Sequence, residues 1–233
     1  MGTRRLIFAL VLVVALAACA FAWWRWVWFF RDPPRTPPAQ PGIVSPADGT
    51  VVYVRRVAPG EDVVVIKQGL RASVRDLLRE DLAGTKLVIG IFMSPFDVHF
   101  NRAPLAGTIG FIRRHPARGE NAHMGPMHWR SLVGIEPRYR NSVHIVQNER
   151  TVTHFLGEYE GAPLSLYVVQ IGARTVNGID SYFREGERVE RGQTFGMIRI
   201  GSQVDLVVPW RPGLEARVRP GQRVRAGETI LVR

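Results

Sequence analysis

Residues 184–195 read REGERVERGQTF, residues 219–230 read RPGQRVRAGETI, and GMIRIGSQVDLVV runs between them at 196–208. At an offset of 35 (219 minus 184), Arg, Gly, Arg, Val, Gly and Thr coincide. Each copy reads as a glycine-turned hairpin, because Gly supplies the positive φ that tight turns need. The segment between them is apolar on both sides of a Gly-Ser pair, Gly201-Ser202. Glycine inside a strand weakens it unless a kink or close backbone approach is required. Taken alone, the pair reads as a bulge between two strands. Working outward, short β runs cut by Gly and Pro continue at 50–57, 62–66, 86–93, 107–114, 143–147, 151–156, 164–171, 194–200, 203–208, 214–218 and 229–232. Many short strands with turn signals between them predict a mainly β chain with few helices, folded as a single β-sandwich or barrel-like domain. One segment departs from this. Residues 70–82, LRASVRDLLREDL, place Leu70, Val74, Leu77 and Leu78 at helical spacing and predict a helix. Its apolar stripe fits a surface helix over the core, and fits equally a helix lying on anionic lipid.

The N-terminus is of another kind. Residues 6–24, LIFALVLVVALAACAFAWW, carry no charge and follow Arg4 and Arg5. Such a run is long enough to span most of a bilayer core as a helix. Trp23, Trp24, Trp26 and Trp28 come next, suited to the headgroup boundary. Leu16-Ala17-Ala18-Cys19 resembles a lipoprotein processing box, but cleavage there would leave further apolar residues at the new terminus, so a retained anchor is expected over 1–30. Arg25, Arg31 and Arg35 outnumber Arg4 and Arg5, which places the rest of the chain on the cytoplasmic side of a cell membrane by a narrow count. Five prolines in 31–42, RDPPRTPPAQPG, predict a stiff extended spacer. The soluble domain is then 43–233.

Composition bounds the chemistry. The chain has 233 residues, 46% hydrophobic and 22% charged, close to the globular norm. Its one cysteine rules out a disulfide framework and a cysteine-based zinc site. The net charge of +11 comes mostly from arginine, since Lys67 and Lys86 are the only lysines, and it favours phosphate-bearing partners. A nucleic-acid module is not expected, because the aromatic residues gather in the N-terminal segment rather than among basic surface residues. The six histidines, 99, 115, 123, 128, 144 and 154, show no metal-ligand spacing. His115, His123 and His128 lie in a stretch rich in Gly, Pro and Met, a candidate flap. No Walker loop, dinucleotide fingerprint or G-x-S-x-G is present.

Four segments hold the remaining candidates. Residues 93–104, MSPFDVHFNRAP, pack an acid, an imidazole, an amide and a guanidinium into six positions, with Asp97, His99 and Asn101 on one face of a strand. Residues 44–49, VSPADG, are turn formers around Asp48. The others are the triplet NER at 148–150 and the Gly201-Ser202 pair.

The V-x-x-G hairpins are similar to those of lipoyl- and biotinyl-type domains, but no modifiable Lys is present, so they are read as architecture. The order VSPADG, MSPFDVHFNRAP, NER and Gly-Ser before an apolar strand resembles the phosphatidylserine decarboxylase family, in its short bacterial and archaeal branch. The likeness covers roughly 28–233, with the FFRDP entry, VVQIGA at 168–173 and the closing GQRVRAGETILV. It implies a proenzyme that cuts itself between Gly201 and Ser202 into a β chain, 1–201, and an α chain, 202–233, which remain together as a heterodimer. It implies that Ser202 becomes a pyruvoyl group, forms a Schiff base with the lipid's serine amine, and acts as the electron sink for decarboxylation to phosphatidylethanolamine. No metal or diffusible cofactor is then needed. His99 is implied in proton transfer and Asp48 in the charge-relay set for self-cleavage. Arg102 and Asn101 are candidates for the substrate. The long branch has a second His where this chain has Arg102, so its Asp–His–Ser set does not carry over whole. Either His99 serves both steps, which is the expectation, or Asp48 acts differently from its counterpart in the long branch. A different reading stays open at this point: an unprocessed, membrane-anchored β-domain adaptor without activity.

Overall fold

The computed structural model describes residues 2–80, 83–174, 178–199 and 201–233. The chain divides into two compact units, Met1–Pro33 and Pro34–Arg233. In the first, helix α1 (Thr3–Trp23) continues into a π-helical turn, Trp24–Trp28. Together they make 26 residues, long and apolar enough to cross a membrane. At 1.5 Å per residue that is about 39 Å, against about 30 Å of hydrocarbon.

The second unit is built on strands. In chain order they are β1 (Ile43–Val44), β2 (Gly49–Val57), β3 (Asp62–Lys67), β4 (Leu70–Ser73), β5 (Lys86–Met93), β6 (Phe100–Arg102), β7 (Gly107–His115) and β8 (Arg150–Tyr159). Then follow β9 (Ala162–Gly172), β10 (Ile179–Ser181), β11 (Arg188–Val189), β12 (Thr194–Ile198), β13 (Ser202–Pro209), β14 (Arg223–Val224) and β15 (Ile230–Val232). Three short helices interrupt them: α2 (Val74–Leu78), α3 (Gly125–Val133) and α4 (His144–Gln147). Eight strands form one curled antiparallel sheet in the order β11-β7-β8-β9-β13-β5-β2-β14. The mainly β architecture expected from the strand pattern is the one observed.

The order is the same read from either end. β7 and β2 each carry a bulge at matching places, between Ile109 and Phe111 and between Val51 and Tyr53. The internal repeat supplies both outer strands, and its glycines hold equivalent conformations. Gly186 and Gly221 have φ of 85° and 91°, and Gly192 and Gly227 have 81° and 74°. Gly186 N–H bonds the Ile109 carbonyl and Gly221 N–H the Val51 carbonyl, both at 2.8 Å. The repeat is therefore two equivalent edge clamps on a sheet of two similar halves, centred on the β9–β13 pair.

Strand alternation gives each face its own core. Ile89, Ile91, Met93, Leu166, Val168, Val204 and Leu206 face one cluster, with Phe195, Ile198 and Leu231. Val88, Phe92, Val169, Ile171 and Val207 face the other, shared with Leu77 and Leu78 of α2, Met127 of α3 and Ile145 of α4.

Four local expectations are corrected. The helix expected over 70–82 is half strand: 70–73 pair with β3 through a turn at Gly69, and only Val74–Leu78 is helical. Ser73 and Asp76 form a capping box that starts it, and Arg79 in the left-handed region ends it. Asp81 and Leu82 lie outside the described residues. The strand expected at 143–147 is α4, whose Ile145 carbonyl is taken by the buried Arg150 guanidinium at 3.0 Å. The strand expected at 214–218 is a single bridge, Ala216 to Val232. The strand expected at 194–200 is described as Thr194–Ile198, with Ile200 outside the described residues. The second compact unit runs from Pro34. Arg35 is buried and bonds Asp48 and Glu228, while Arg191 donates to the carbonyls of Pro38, Gln40 and Gly42. The proline segment is extended, and from Pro34 it is strapped to the domain.

Candidate active site

Ser202 is the first residue of β13, paired with Met93 of β5 and Gly172 of β9 at the centre of the sheet. It is fully buried, and its hydroxyl lies 3.3 Å from Met93 Sδ. Gly201, just before it, has φ of 70°, in the left-handed region that an L side chain resists. The Gly201 carbonyl accepts a hydrogen bond from Ala173 N–H at 3.1 Å. The Gly-Ser peptide is thus the entry to an interior strand, with a kinked backbone, a buried hydroxyl and a carbonyl already held by a donor.

Register places Met93, Ser202, Val204 and Gln170 on one face. Asn101 of β6 reaches that face. Its Nδ2 lies 3.9 Å from Met93 Sδ and 3.3 Å from the Pro46 carbonyl, and its Oδ1 accepts from Gln170 Nε2 at 2.8 Å. Gln170 Oε1 is buried with no hydrogen-bond partner among the described residues. A buried serine flanked by two amides and an unused acceptor suits a small polar group formed from Ser202 itself.

His99 is fully buried between β5 and β6. Its Nδ1 lies 3.0 Å from the Asp97 carbonyl, which can only accept, so neutral His99 carries its proton on Nδ1 and its lone pair on Nε2. The His99 carbonyl accepts from Ile198 N–H at 3.2 Å. The segment 93–99 therefore brackets the Gly201-Ser202 pair, with one end paired to Ser202 and the other bonded to Ile198. Asp97 steadies this turn by accepting from Ser94 N–H at 2.8 Å and pairing with Arg223.

Asp48 and Arg102 are occupied elsewhere. Asp48 accepts from Arg35 at 2.8 Å and from Ala226 N–H at 2.7 Å. Burial raises its carboxyl above the ordinary range, against the opposing pull of the Ala226 amide and Arg35. Arg102 is buried and donates to the Gly192 carbonyl at 3.0 Å, with its side chain packed against Gly227. Both residues thereby tie the two repeat hairpins to the 45–49 and 100–102 segments.

The other face of β13 holds a network that sequence reasoning did not single out. Asp205 Oδ1 accepts from Tyr53 OH and from Gln203 Nε2, both at 2.8 Å. Gln203 Oε1 meets His144 Nε2 at 2.9 Å. Tyr53 reaches across β5 because Gly90 lies under its ring, where a Cβ would sit 2.4 Å from Tyr53 Cζ. Burial lifts the Asp205 carboxyl to about 6 and drops the His144 imidazole to about 4. The legible signal was a polar residue inside an apolar strand: Gln170 in VVQIG, and Gln203 and Asp205 in SQVDLVV. The triplet 148–150 is a buried clamp. Arg150 bonds the carbonyls of Asp76, Leu77, Ile145 and Asn148, and Asn148 bonds Ala122 and Gly172.

Beside the 94–97 turn lies a cavity of about 280 Å³ lined by Thr50, Phe92, Ser94, His128, Leu132 and Arg223, with the exposed Phe96 at its edge. A larger hollow of about 850 Å³ is an open groove along 216–222 and holds none of the candidate residues.

A family model described as phosphatidylserine decarboxylase matches residues 24–232. The chain is similar to the putative archaetidylserine decarboxylase proenzyme of Methanopyrus kandleri, 33% identical over 94% of this chain and 92% of that protein. It is similar to the phosphatidylserine decarboxylase proenzyme of Salinibacter ruber, 34% identical over 96% of this chain and 80% of that one. It is also similar to the putative archaetidylserine decarboxylase proenzyme of Methanocaldococcus jannaschii, 34% identical over 93% of both chains. A match across nearly the whole chain, with relatives one-third identical over 80–93% of their length, means that this chain belongs to the phosphatidylserine decarboxylase family.

Proposed function

We propose that the chain is a proenzyme that cuts itself between Gly201 and Ser202 and then decarboxylates a lipid with a phosphoserine headgroup, phosphatidylserine to phosphatidylethanolamine. The observation that carries this reading is the Gly201–Ser202 peptide itself, a left-handed glycine and buried serine at the mouth of an interior strand. In the self-cleavage, His99 Nε2 takes the proton of Ser202 Oγ, and Oγ attacks the Gly201 carbonyl carbon. The carbon–nitrogen bond breaks as the departing nitrogen takes that proton back from His99 and becomes the Ser202 amine, and an ester joins the two halves. Elimination releases the Gly201 carboxylate, and hydrolysis of the residue left behind releases ammonia. The pyruvoyl group so formed supplies the electron sink for loss of CO₂.

The remaining work belongs to the chain's own residues. Asn101 and Gln170 present amides on the face of Ser202 and orient the serine headgroup. His99 returns a proton to the carbon that loses CO₂. Arg223, paired with Asp97 in the 94–97 turn and lining the cavity beside it, offers its guanidinium to the phosphodiester, and the acyl chains stay outside. Asp48 acts at a distance, by fixing the turn at 45–49. Arg102 holds the Gly192 carbonyl rather than substrate. After cleavage, 202–233 stays in place because β13 is hydrogen-bonded on both sides, and the two fragments form one αβ unit. The helix Thr3–Trp28 anchors it to the membrane, with the catalytic unit on the cytoplasmic side.

Intact-mass analysis of the purified protein, with CO₂ release from phosphatidylserine in mixed micelles, tests the reading. Two fragments split at 201/202, the smaller lacking the amine of its first residue, are expected together with turnover. A single uncut, inactive chain would return the adaptor reading.

A further inference from the structure

We propose that Asn148 is a positioning residue for self-cleavage, acting on the Gly201 carbonyl through the Gly172–Ala173 peptide. The inference rests on the Gly201–Ser202 reading above and adds to it a residue with no contact to either reacting atom.

Asn148 is fully buried at the end of α4. Its Oδ1 accepts from Ala122 N–H at 2.7 Å, and its Nδ2 donates to the Ala122 carbonyl at 2.9 Å. That two-point grip on a backbone fixes which end of the amide is nitrogen. The second Nδ2 hydrogen goes to the Gly172 carbonyl at 2.6 Å. The same peptide unit then presents its N–H, from Ala173, to the Gly201 carbonyl at 3.1 Å. Gly172 N–H is separately held by the Glu149 carbonyl at 3.1 Å. One side chain thus grips one face of a peptide whose other face holds the bond to be cut.

Two physical consequences follow. A peptide whose carbonyl accepts a hydrogen bond is polarised and donates more strongly from its N–H. The donor is also locked in place before the reaction. When Ser202 Oγ adds to the Gly201 carbon, the carbonyl π pair moves onto its oxygen, and the Ala173 N–H is the donor already aimed there. That pair returns as the carbon–nitrogen bond breaks. Removing such a donor outright costs about 10²–10³ in rate. Releasing the residue behind it should cost less, about 10–100-fold.

Asn148 also pins the 121–122 loop, so the control must loosen that loop without touching Gly172. Asn121 offers one, since it bonds Glu149 Oε1 at 3.0 Å and Glu149 N–H at 2.8 Å. The full chain in detergent is followed by gel for cleavage and by CO₂ release per cut chain. Asn148→Ala is expected to cut about 10–100-fold more slowly, while turnover per cut chain is retained. Asn121→Ala is expected to cut at the normal rate. A spectroscopic reading separates polarisation from stability. In the uncut Ser202→Ala background, glycine labelled with carbon-13 at its carbonyl and alanine labelled with nitrogen-15 isolate the peptides after Gly161, Gly172 and Gly201. Adding Asn148→Ala should move the Gly172 and Gly201 carbonyl resonances upfield and leave Gly161 unmoved. An unmoved Gly201 resonance, a normal cutting rate, or equal slowing by Asn121→Ala would each overturn the proposal. If Asn148→Ala does not fold, Asn148→Ser carries the same test. Cutting of Ser202→Ala would instead overturn the underlying cleavage reading.

Discussion

The two central strands of the sheet are entered in the same way and differ in what surrounds the entry. β9 begins at Ala162, immediately after Gly161 with φ of 74°. β13 begins at Ser202, immediately after Gly201 with φ of 70°. At the first, Glu160 and Gly161 are both left-handed and form a two-residue turn that closes β8 onto β9. At the second, no turn joins β13 to its partner β5, because residues 94–201 intervene. The half with the short turn exposes its glycine to water. The other half buries the following serine, places a donor on the glycine carbonyl and wraps 93–99 around the bond. A left-handed glycine is thus a common way into a strand. Under the proposed function, burial and the residues brought to it are what set the Gly201–Ser202 peptide apart from Gly161–Ala162.

The strongest way to break this comparison is to exchange the residues after the two glycines. Ser202→Ala should abolish cutting and turnover, because nucleophile and prosthetic-group precursor are one side chain. Ala162→Ser creates a Gly-Ser pair at the other strand and should leave that site uncut. Cleavage after Gly161, detected as a new fragment by mass, would show that backbone conformation alone suffices. Next in size is His99→Ala. A missing general base costs about 10²–10⁴-fold, so the chain should remain essentially uncut through a purification. Normal cutting with lost turnover would confine His99 to the lipid reaction. Normal cutting with normal turnover would remove it from both.

A subtler pair compares the glycines themselves. A residue with a Cβ in the left-handed region costs about 1–2 kcal/mol. Gly161→Ala should therefore lower stability by about that amount and leave cutting unchanged. Gly201→Ala carries the same strain at the reacting carbonyl, so its cutting rate should fall while Gly161→Ala shows none of this. Equal cutting rates in the two variants, measured on freshly translated protein, would mean that the bend at Gly201 is architectural only.

Much of this was legible in the sequence, and unevenly so. Strands with strong alternation or continuous β-branched runs emerged where expected, β5 over the same residues 86–93. The repeat announced its two clamps through Gly186, Gly192, Gly221 and Gly227. Residues 143–147, VHIVQ, failed because three apolar residues in a stretch of five are ambiguous by period, and the deciding contact, Arg150 on the Ile145 carbonyl, is tertiary. Helix α3 was hidden in a Gly- and Pro-rich stretch, although Pro126 at its first turn and left-handed Gly134 at its end are helix punctuation. Among the site residues, Ser202 and Asn101 both meet Met93 Sδ, and the His99 carbonyl is bonded to Ile198 of β12, whereas Asp48 and Arg102 bind hairpin backbone. Spacing could not have told these apart, because a buried Arg or Asp looks the same in a string whether it meets substrate or a carbonyl.

The smallest effect concerns the outer face, where the two central strands differ again. β9 turns Val169 and Ile171 to that side, and their partners on β13 are Asp205 and Gln203. Asp205 is fully buried, and its Oδ2 has no hydrogen-bond partner among the described residues. Burial raises its folded carboxyl from 3.8 to about 6. A raised carboxyl means that the folded state binds the extra proton between those values. Its contribution is fully present below pH 3.8 and is lost as pH rises through about 6. His144 runs the other way. Its folded value of about 4 lies below the ordinary 6.5, so stability is lost as pH falls through that window. The two largely offset in the wild-type profile, and a single variant separates them. Asp205→Asn keeps an acceptor for Tyr53 and Gln203 and cannot ionise. Relative to wild type it should gain little near pH 4, about half of the full effect at pH 5, and up to about 3 kcal/mol above pH 7, at 1.36 kcal/mol per unit. The His144 contribution is common to both proteins and cancels in the difference. Melting of each uncut protein in the Ser202→Ala background, from pH 4 to 8, measures it. A difference that is flat with pH would mean that Asp205 stays ionised throughout, held by Arg150, and that β13 carries its charge at no cost that β9 avoids.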